Sequence, residues 1–166
     1  MSFEAAFKAM IKAAKRPKMP AEDQLLSRED FDKYVKLRSA GYCVFCDKLA
    51  VDSHHILDRK LFPDGGYYLG NGAAVCEMHH VLCERTLIPV KQVRESAHIE
   101  NPVLPPGFSK HANYDKWGNT VISRYIILLG PLKSDDGMLK ALKAGGKAAY
   151  LYHKIPYMVD GLDEAQ

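Results

Sequence analysis

Cys43-Val44-Phe45-Cys46, Asp52-Ser53-His54-His55-Ile56, Asn71-Gly72 and Cys76-Glu77-Met78-His79-His80 all fall within residues 43–80, and how they are read decides the fold. Cys43-x-x-Cys46 offers two thiols from one tight turn. Cys76-x-x-His79 can offer a thiol and an imidazole from a second. A structural zinc wants four nitrogen or sulfur ligands in a tetrahedron. Two such knuckles meet that demand with little chain and close the residues between them into a loop. A small module with a thin core needs a staple of this kind. The bland reading is four buried free thiols, but a second pair and neighbouring histidines favour a metal. His80 or Cys83 could replace His79 as fourth ligand, because Cys76 and Cys83 lie seven apart and share a helical face.

Outward from this stretch, the 166 residues fit one modest domain or a small domain with extensions. Hydrophobic residues make up 47%, enough for a core. No apolar run approaches the ~20 residues a membrane helix needs. Phe3 to Arg16 lacks the apolar centre of a secretory signal. The four cysteines therefore read as metal ligands in a reducing, cytoplasmic setting rather than as disulfides. The net charge of +3 is too weak on its own to argue for nucleic acid. Residues 1–40 carry nine Lys/Arg against six Asp/Glu, whereas residues 41–95 carry six against seven. The motif-bearing middle is thus expected to depend on bound metal for positive charge.

The fold class expected is α+β, in three parts: an N-terminal helical arm (1–40), a central module (41–97) and a C-terminal extension (98–166). Phe3, Phe7, Met10, Ile11 and Ala14 recur at helical spacing. Ser27-Arg28-Glu29-Asp30 resembles a capping box, so a helix should follow, with Phe31, Tyr34 and Val35 toward the core and Gly41 at its end. Leu49 to Ile56 and Asn71 to Val75 read as short strands, joined by a loop through Pro63-Asp64-Gly65-Gly66. Glu77 to about Arg85 reads as a helix, and Pro89 opens another. Three prolines make 101–107 a linker. Tyr114 to Ile127 looks like a hairpin turning at Asp115-Lys116-Trp117-Gly118-Asn119. Ser134-Asp135-Asp136 caps a helix ending at Gly145-Gly146.

Residues 40–90 resemble the HNH endonuclease family, in which two strands and a helix surround a metal. The resemblance rests on the C-x-x-C, a His-His-Ile strand end, Asn71 sixteen residues past His55, and His80 nine past Asn71. Adjacent strand residues point to opposite sides, so His54 and His55 need not share a task. The resemblance implies that His55 is the general base and His54 a ligand of a catalytic metal. It implies that Asn71 braces the loop carrying the base and orients the imidazole, and that His80 is a second metal ligand. Glu84, one turn beyond His80, could complete the set. Many members have His or Asn near there, and a carboxylate favours a harder ion, Mg²⁺ or Mn²⁺. Cys43, Cys46, Cys76 and His79 would hold the structural zinc. The expected activity is hydrolysis of DNA phosphodiesters by a His-activated water and one divalent ion, which can stabilise the phosphorane and the leaving oxygen.

Duplex DNA is the expected partner, with RNA left open as a substrate and no membrane. One such site cuts one strand per event, so double-strand cutting would call for a homodimer. Weaker candidates for backbone contact are Arg59 and Lys60 after the His-His strand, Lys8, Lys12 and Lys15 on the first helix, and Lys133, Lys140, Lys143 and Lys147 near the end. Solvated surface charge explains all of these as well. Trp117 could stack on a base, although packing on the core is the plainer reading. Three other zinc readings compete. A silent zinc scaffold would need none of His55, Asn71 and His80. A nucleobase deaminase needs H-x-E and P-C-x-x-C, which are missing. A DNA-reading finger is poor because thirty-two residues separate Cys46 from His79.

Overall fold

The computed structural model describes residues 18–123 and 126–144. The helix expected from Phe3, Phe7, Met10, Ile11 and Ala14, with Lys8, Lys12 and Lys15, lies outside them, as do Gly145-Gly146, Lys147 and the C-terminal tail.

Ser27 opens helix α1 (Arg28–Arg38) as its sequence predicts: the hydroxyl accepts the Asp30 amide, and Glu29 and Asp30 occupy the positive first turn. The far end closes in a Schellman arrangement. Gly41 N–H donates to Lys36 O at 2.8 Å, and Ala40 N–H to Leu37 O at 3.1 Å. The residue after the C-cap is Ala40, at φ 54°, with Gly41 following it at φ 82°. A side chain therefore sits at a left-handed position that favours glycine. Ala40→Gly is expected to stabilise the fold by about 0.5–1 kcal/mol, seen as a higher urea midpoint at unchanged slope.

Strands β1 (Asp52–His55) and β2 (Gly72–Val75) pair antiparallel, with Asp52 opposite Val75, Ser53 opposite Ala74, His54 opposite Ala73 and His55 opposite Gly72. Alternation then assigns the faces. Ser53 and His55 look toward α1, where Ser53 Oγ donates to Asp32 and the His55 ring stacks on Phe31. Phe31 and Val35 form a core there with Leu69 and Ala74. A Cβ on Gly72 would stand 2.4 Å from Val35 Cγ2 and 2.7 Å from the Phe31 ring. Only glycine lets the helix close on the strand at that point.

Asp52 and His54 look the other way, toward helix α2 (Glu77–Glu84). Beneath that helix lies the larger core, which includes Ile56, Leu57, Phe62, Val75, Cys83, Val90 and Val93. Each fully buried aliphatic or aromatic side chain in it contributes about 1.5–3 kcal/mol. Pro89 stands at the start of helix α3 (Val90–Ser96). Residues 101–107 contain no helix or strand, as their prolines predict.

A second antiparallel pair joins β3 (Thr120–Ser123) to β4 (Ile126–Leu128), followed by helix α4 (Asp136–Lys143). Asp135 Oδ1 accepts the Gly137 and Met138 amides at the start of α4. The expected hairpin is corrected here. The Asp115–Asn119 turn closes only the single bridge between Tyr114 and Thr120, and the strand pair lies beyond it. The reason is the inward-turned Asp115 carboxylate. It accepts the Trp117 and Asn119 amides at 2.9 and 3.0 Å and the Asn119 side chain at 2.9 Å, taking donors a ladder would use. Trp117 is 4% exposed and packs with Ile127 and Met138. It belongs to the core and cannot stack on a base.

The architecture is α+β, with two small antiparallel sheets and four α-helices among the described residues. Residues after 97 pack onto the motif-bearing part: Val103, Leu104 and Tyr114 lie against its core, and Asp58 N–H donates to Lys116 O at 2.8 Å. Among the described residues no helix is long and apolar enough to cross a membrane.

Candidate metal centres

The Cys43–Cys46 turn is tied down from both sides. Cys43 N–H donates to Lys48 O at 2.8 Å, and Val44 N–H to Ala74 O on β2 at 3.0 Å. Phe45 N–H points at Cys43 Sγ, 3.5 Å away. Cys76 is the N-cap of α2, and His79 sits three residues on, one turn away. The result is one cluster. His79 Nδ1 lies 3.5, 3.6 and 3.2 Å from the sulfurs of Cys43, Cys46 and Cys76, and Cys46 Sγ lies 3.8 Å from Cys76 Sγ. Donors on a zinc tetrahedron, about 2.3 Å from the ion for sulfur and about 2.0–2.1 Å for nitrogen, stand about 3.8 Å apart sulfur to sulfur and about 3.5 Å sulfur to nitrogen. The match is close, so these four residues can hold one metal ion, and the donor set is compatible with zinc.

Burial pushes the Cys76 thiol up, but hydrogen bonds from the His79 backbone and imidazole, and from Cys46 and Cys43, bring it down to about 6. A thiolate is the form a metal binds. Cys83, the alternative ligand, is buried in the apolar core instead, where its thiol is pushed up to about 12. His80, the other alternative, belongs to a second cluster.

That cluster is His54, His80 and Glu84, whose donor atoms all lie within 4.8 Å of one another, close enough to hold a metal ion. Strand alternation puts Asp52 and His54 on the α2 side, and helical periodicity puts His80 and Glu84 on one face of α2. Glu84 Oε1 lies 3.4 Å from His54 Nδ1 and 3.3 Å from His80 Nε2. His80 Nδ1 lies 2.9 Å from Asp52 Oδ2. This second carboxylate fixes the proton on Nδ1 and turns the Nε2 lone pair toward the cluster, a common support for a metal-bound imidazole. His54 is buried, and its Nδ1 is sealed from water with the Glu84 carboxylate facing it at 3.4 Å. A sealed nitrogen facing a carboxylate and a second imidazole fits a metal ligand.

The electrostatics agree. Burial first, then the Lys116 charge, push the His54 imidazole down to about 4, so it is neutral at neutral pH. His80 is raised, chiefly by the Glu84 carboxylate and with help from Asp52. Burial would raise Glu84, but the two imidazoles that face it, His54 and His80, and the Lys116 charge hold it below the usual carboxylate range.

His55 stands apart from both clusters. Its ring stacks on Phe31 at 4.6 Å and meets Tyr67 edge-on at 5.1 Å. Nε2 is sealed with no partner, which leaves Nδ1 as the nitrogen that can meet water. Burial and the Lys116 charge push this imidazole down to about 4. Asn71 is fully buried and braces the chain leaving β1: Oδ1 accepts Leu57 N–H at 2.9 Å, and Nδ2 donates to Leu57 O at 3.0 Å and Gly66 O at 3.3 Å. Its partners are main-chain groups, not the His55 ring. Lys60 pairs with Asp135, and Arg59 donates to the Tyr67 hydroxyl at 3.2 Å.

Lys116 is the residue that sequence reasoning missed. The turn at Asp115–Asn119 inserts it beside the second cluster, 4% exposed. Its ammonium reaches His55 O at 3.1 Å, Glu84 Oε1 at 3.2 Å and Asp58 Oδ2 at 3.4 Å. The motif-bearing region therefore gains positive charge from the later part of the chain. A lysine inside an Asp-Lys-Trp-Gly-Asn turn was the available signal, overshadowed by the tryptophan beside it. No protein-family profile, no curated protein and no solved structure matches this chain.

Proposed function

We propose that this chain is a metal-dependent endonuclease of the HNH type that hydrolyses DNA phosphodiester bonds, with its β1–β2–α2 unit as the ββα-metal core and zinc at the two knuckles. The observation that carries the reading is the convergence of His54, His80 and Glu84 on one point, one residue along β1 from His55 and one along α2 from the four-donor cluster. A silent zinc scaffold has no use for a buried His54 Nδ1 set 3.4 Å from a carboxylate that also faces His80.

His54, His80 and Glu84 would hold a Mg²⁺ or Mn²⁺ ion. When bound, it supplies Lewis-acid stabilisation of the phosphorane and of the leaving oxygen. The chain's own residues do the rest. His55, neutral at neutral pH, accepts the proton of the attacking water on Nδ1. Asn71 keeps the main chain after His55 from shifting by holding both polar groups of Leu57. Asp52 keeps His80 in the tautomer that leaves Nε2 free.

The test is cleavage of supercoiled plasmid by the zinc-loaded protein in Mg²⁺, in Mn²⁺ and after chelation. Parent protein is expected to nick with either ion and to stop without it. His54→Ala should lose that response while keeping its zinc. A folded, zinc-loaded parent that cuts none of a wide set of DNA sequences would favour the scaffold.

A further inference from the structure

We propose that Lys116 is a positioning residue that weakens divalent-ion binding and in return lets the loaded centre accept an anionic phosphodiester; the inference rests on the metal-centre reading above. Three observations carry it.

The first is the shared oxygen. Lys116 Nζ lies 3.2 Å from Glu84 Oε1, the same atom that faces His54 Nδ1 and His80 Nε2. An ion held by those three donors and the Lys116 ammonium would lean on one carboxylate oxygen from two sides. Like charges that close repel strongly where little water intervenes, so the ammonium must cost the ion affinity.

The second is that Lys116 cannot step aside. Its three donor hydrogens have three acceptors, Glu84 Oε1, Asp58 Oδ2 and His55 O. The main chain that carries it is locked by the Asp115 carboxylate and by Asp58 N–H donating to Lys116 O. The next residue, Trp117, is anchored through Nε1 to Glu84 O at 3.1 Å. One rigid turn therefore grips both the carboxylate of Glu84 and its backbone.

The third is the local charge. In the ion-binding form, with the imidazoles deprotonated, Asp52, Asp58 and Glu84 bring three negative charges and Lys116 one positive, so these groups have a net formal charge of two below zero. A divalent ion brings that to neutrality. Without Lys116 the loaded site would stay negative and repel a phosphodiester. The lysine trades ion affinity for substrate acceptance.

The experiment compares the zinc-loaded full chain with Lys116→Met and Lys116→Gln, both neutral, the second still able to donate hydrogen bonds. Bound Mn²⁺ is counted from the free-ion electron paramagnetic resonance signal, and cleavage is measured at saturating Mn²⁺. Both variants are expected to bind Mn²⁺ about tenfold tighter and to show a KM for DNA raised about tenfold or more. Should the methionine variant fail to fold, the glutamine variant decides. Mn²⁺ binding that is unchanged or weaker in the variants, or tighter binding with an unchanged KM, overturns the role of Lys116 and leaves the nuclease reading standing. A zinc-loaded parent that binds no Mn²⁺ overturns both.

Discussion

His55→Ala is expected to lower metal-dependent DNA cleavage by about 10²–10⁴-fold, the usual contribution of a positioned general base, with zinc content unchanged. The loss should fall on kcat, because His55 is not among the residues that converge to hold an ion. The fold should survive. The ring gives up its contacts with Phe31 and Tyr67, worth about 0.5–1.5 kcal/mol each. The depressed pKa gives the reaction a signature. Burial and the Lys116 charge hold His55 at about 4, so the base form is already complete at mildly acidic pH. The acid limb of kcat/KM should fall through pH 4–5 and not around the ordinary imidazole value of about 6.5. The same depression links to stability. The neutral ring contributes fully above about pH 6.5, and that contribution is lost as pH falls toward 4, because the unfolded chain takes the proton first. His55→Ala should remove part of this acid sensitivity. A variant that cuts as fast as its parent would end the proposed mechanism.

Under the proposed zinc reading, Cys43→Ser should cost the protein both its metal and its central fold. Structural zinc sites have apparent binding free energies of about 10–16 kcal/mol, as large as the roughly 5–15 kcal/mol by which domains are stable. A serine hydroxyl is a far poorer zinc ligand than a thiolate, so the tetrahedron is reduced to three good ligands. Cys43 is also buried in the main core, and its turn is bonded to β2. Metal release, read with a chromogenic chelator, should coincide with loss of far-ultraviolet helix signal. Cys83→Ser is the matched control. Its sulfur is a core atom, so that variant should keep one zinc per chain while losing some stability to a buried hydroxyl. Equal zinc loss in both variants would mean that Cys83 is a ligand after all.

Local rules made most of the central region legible. Ser27 and Asp30 mark a helix start through a contact spanning three residues. Strand alternation alone separates His54 from His55, and helical spacing alone joins His80 to Glu84. The choice among His79, His80 and Cys83 was not legible, because the turn after β2 decides which way α2 is rotated. Cys76 at the N-cap puts His79 against the knuckle and buries Cys83 beneath the helix. Lys116 was hidden for a different reason. Its partners, Asp58 and Glu84, lie far away in sequence, and no local pattern reports a contact of that range. The Asp115 turn misled for a third reason: turn residues predict reversal, but not whether a carboxylate will take the backbone donors that a ladder would need.

His79 and His80 are neighbours on α2, yet each serves a different donor group. A helix turned by its knuckle therefore carries the other imidazole with it. Peroxide or an electrophile that converts the Cys43, Cys46 or Cys76 thiolate to a sulfenic acid or an adduct would release an ion held by these four residues. The swing of α2 that follows would scatter His80 and Glu84 without modifying either. Under the proposed nuclease function, oxidation at the knuckle would thus act as an off-switch on DNA cutting, reversible by thiols for as long as the sulfur stays at the sulfenic stage.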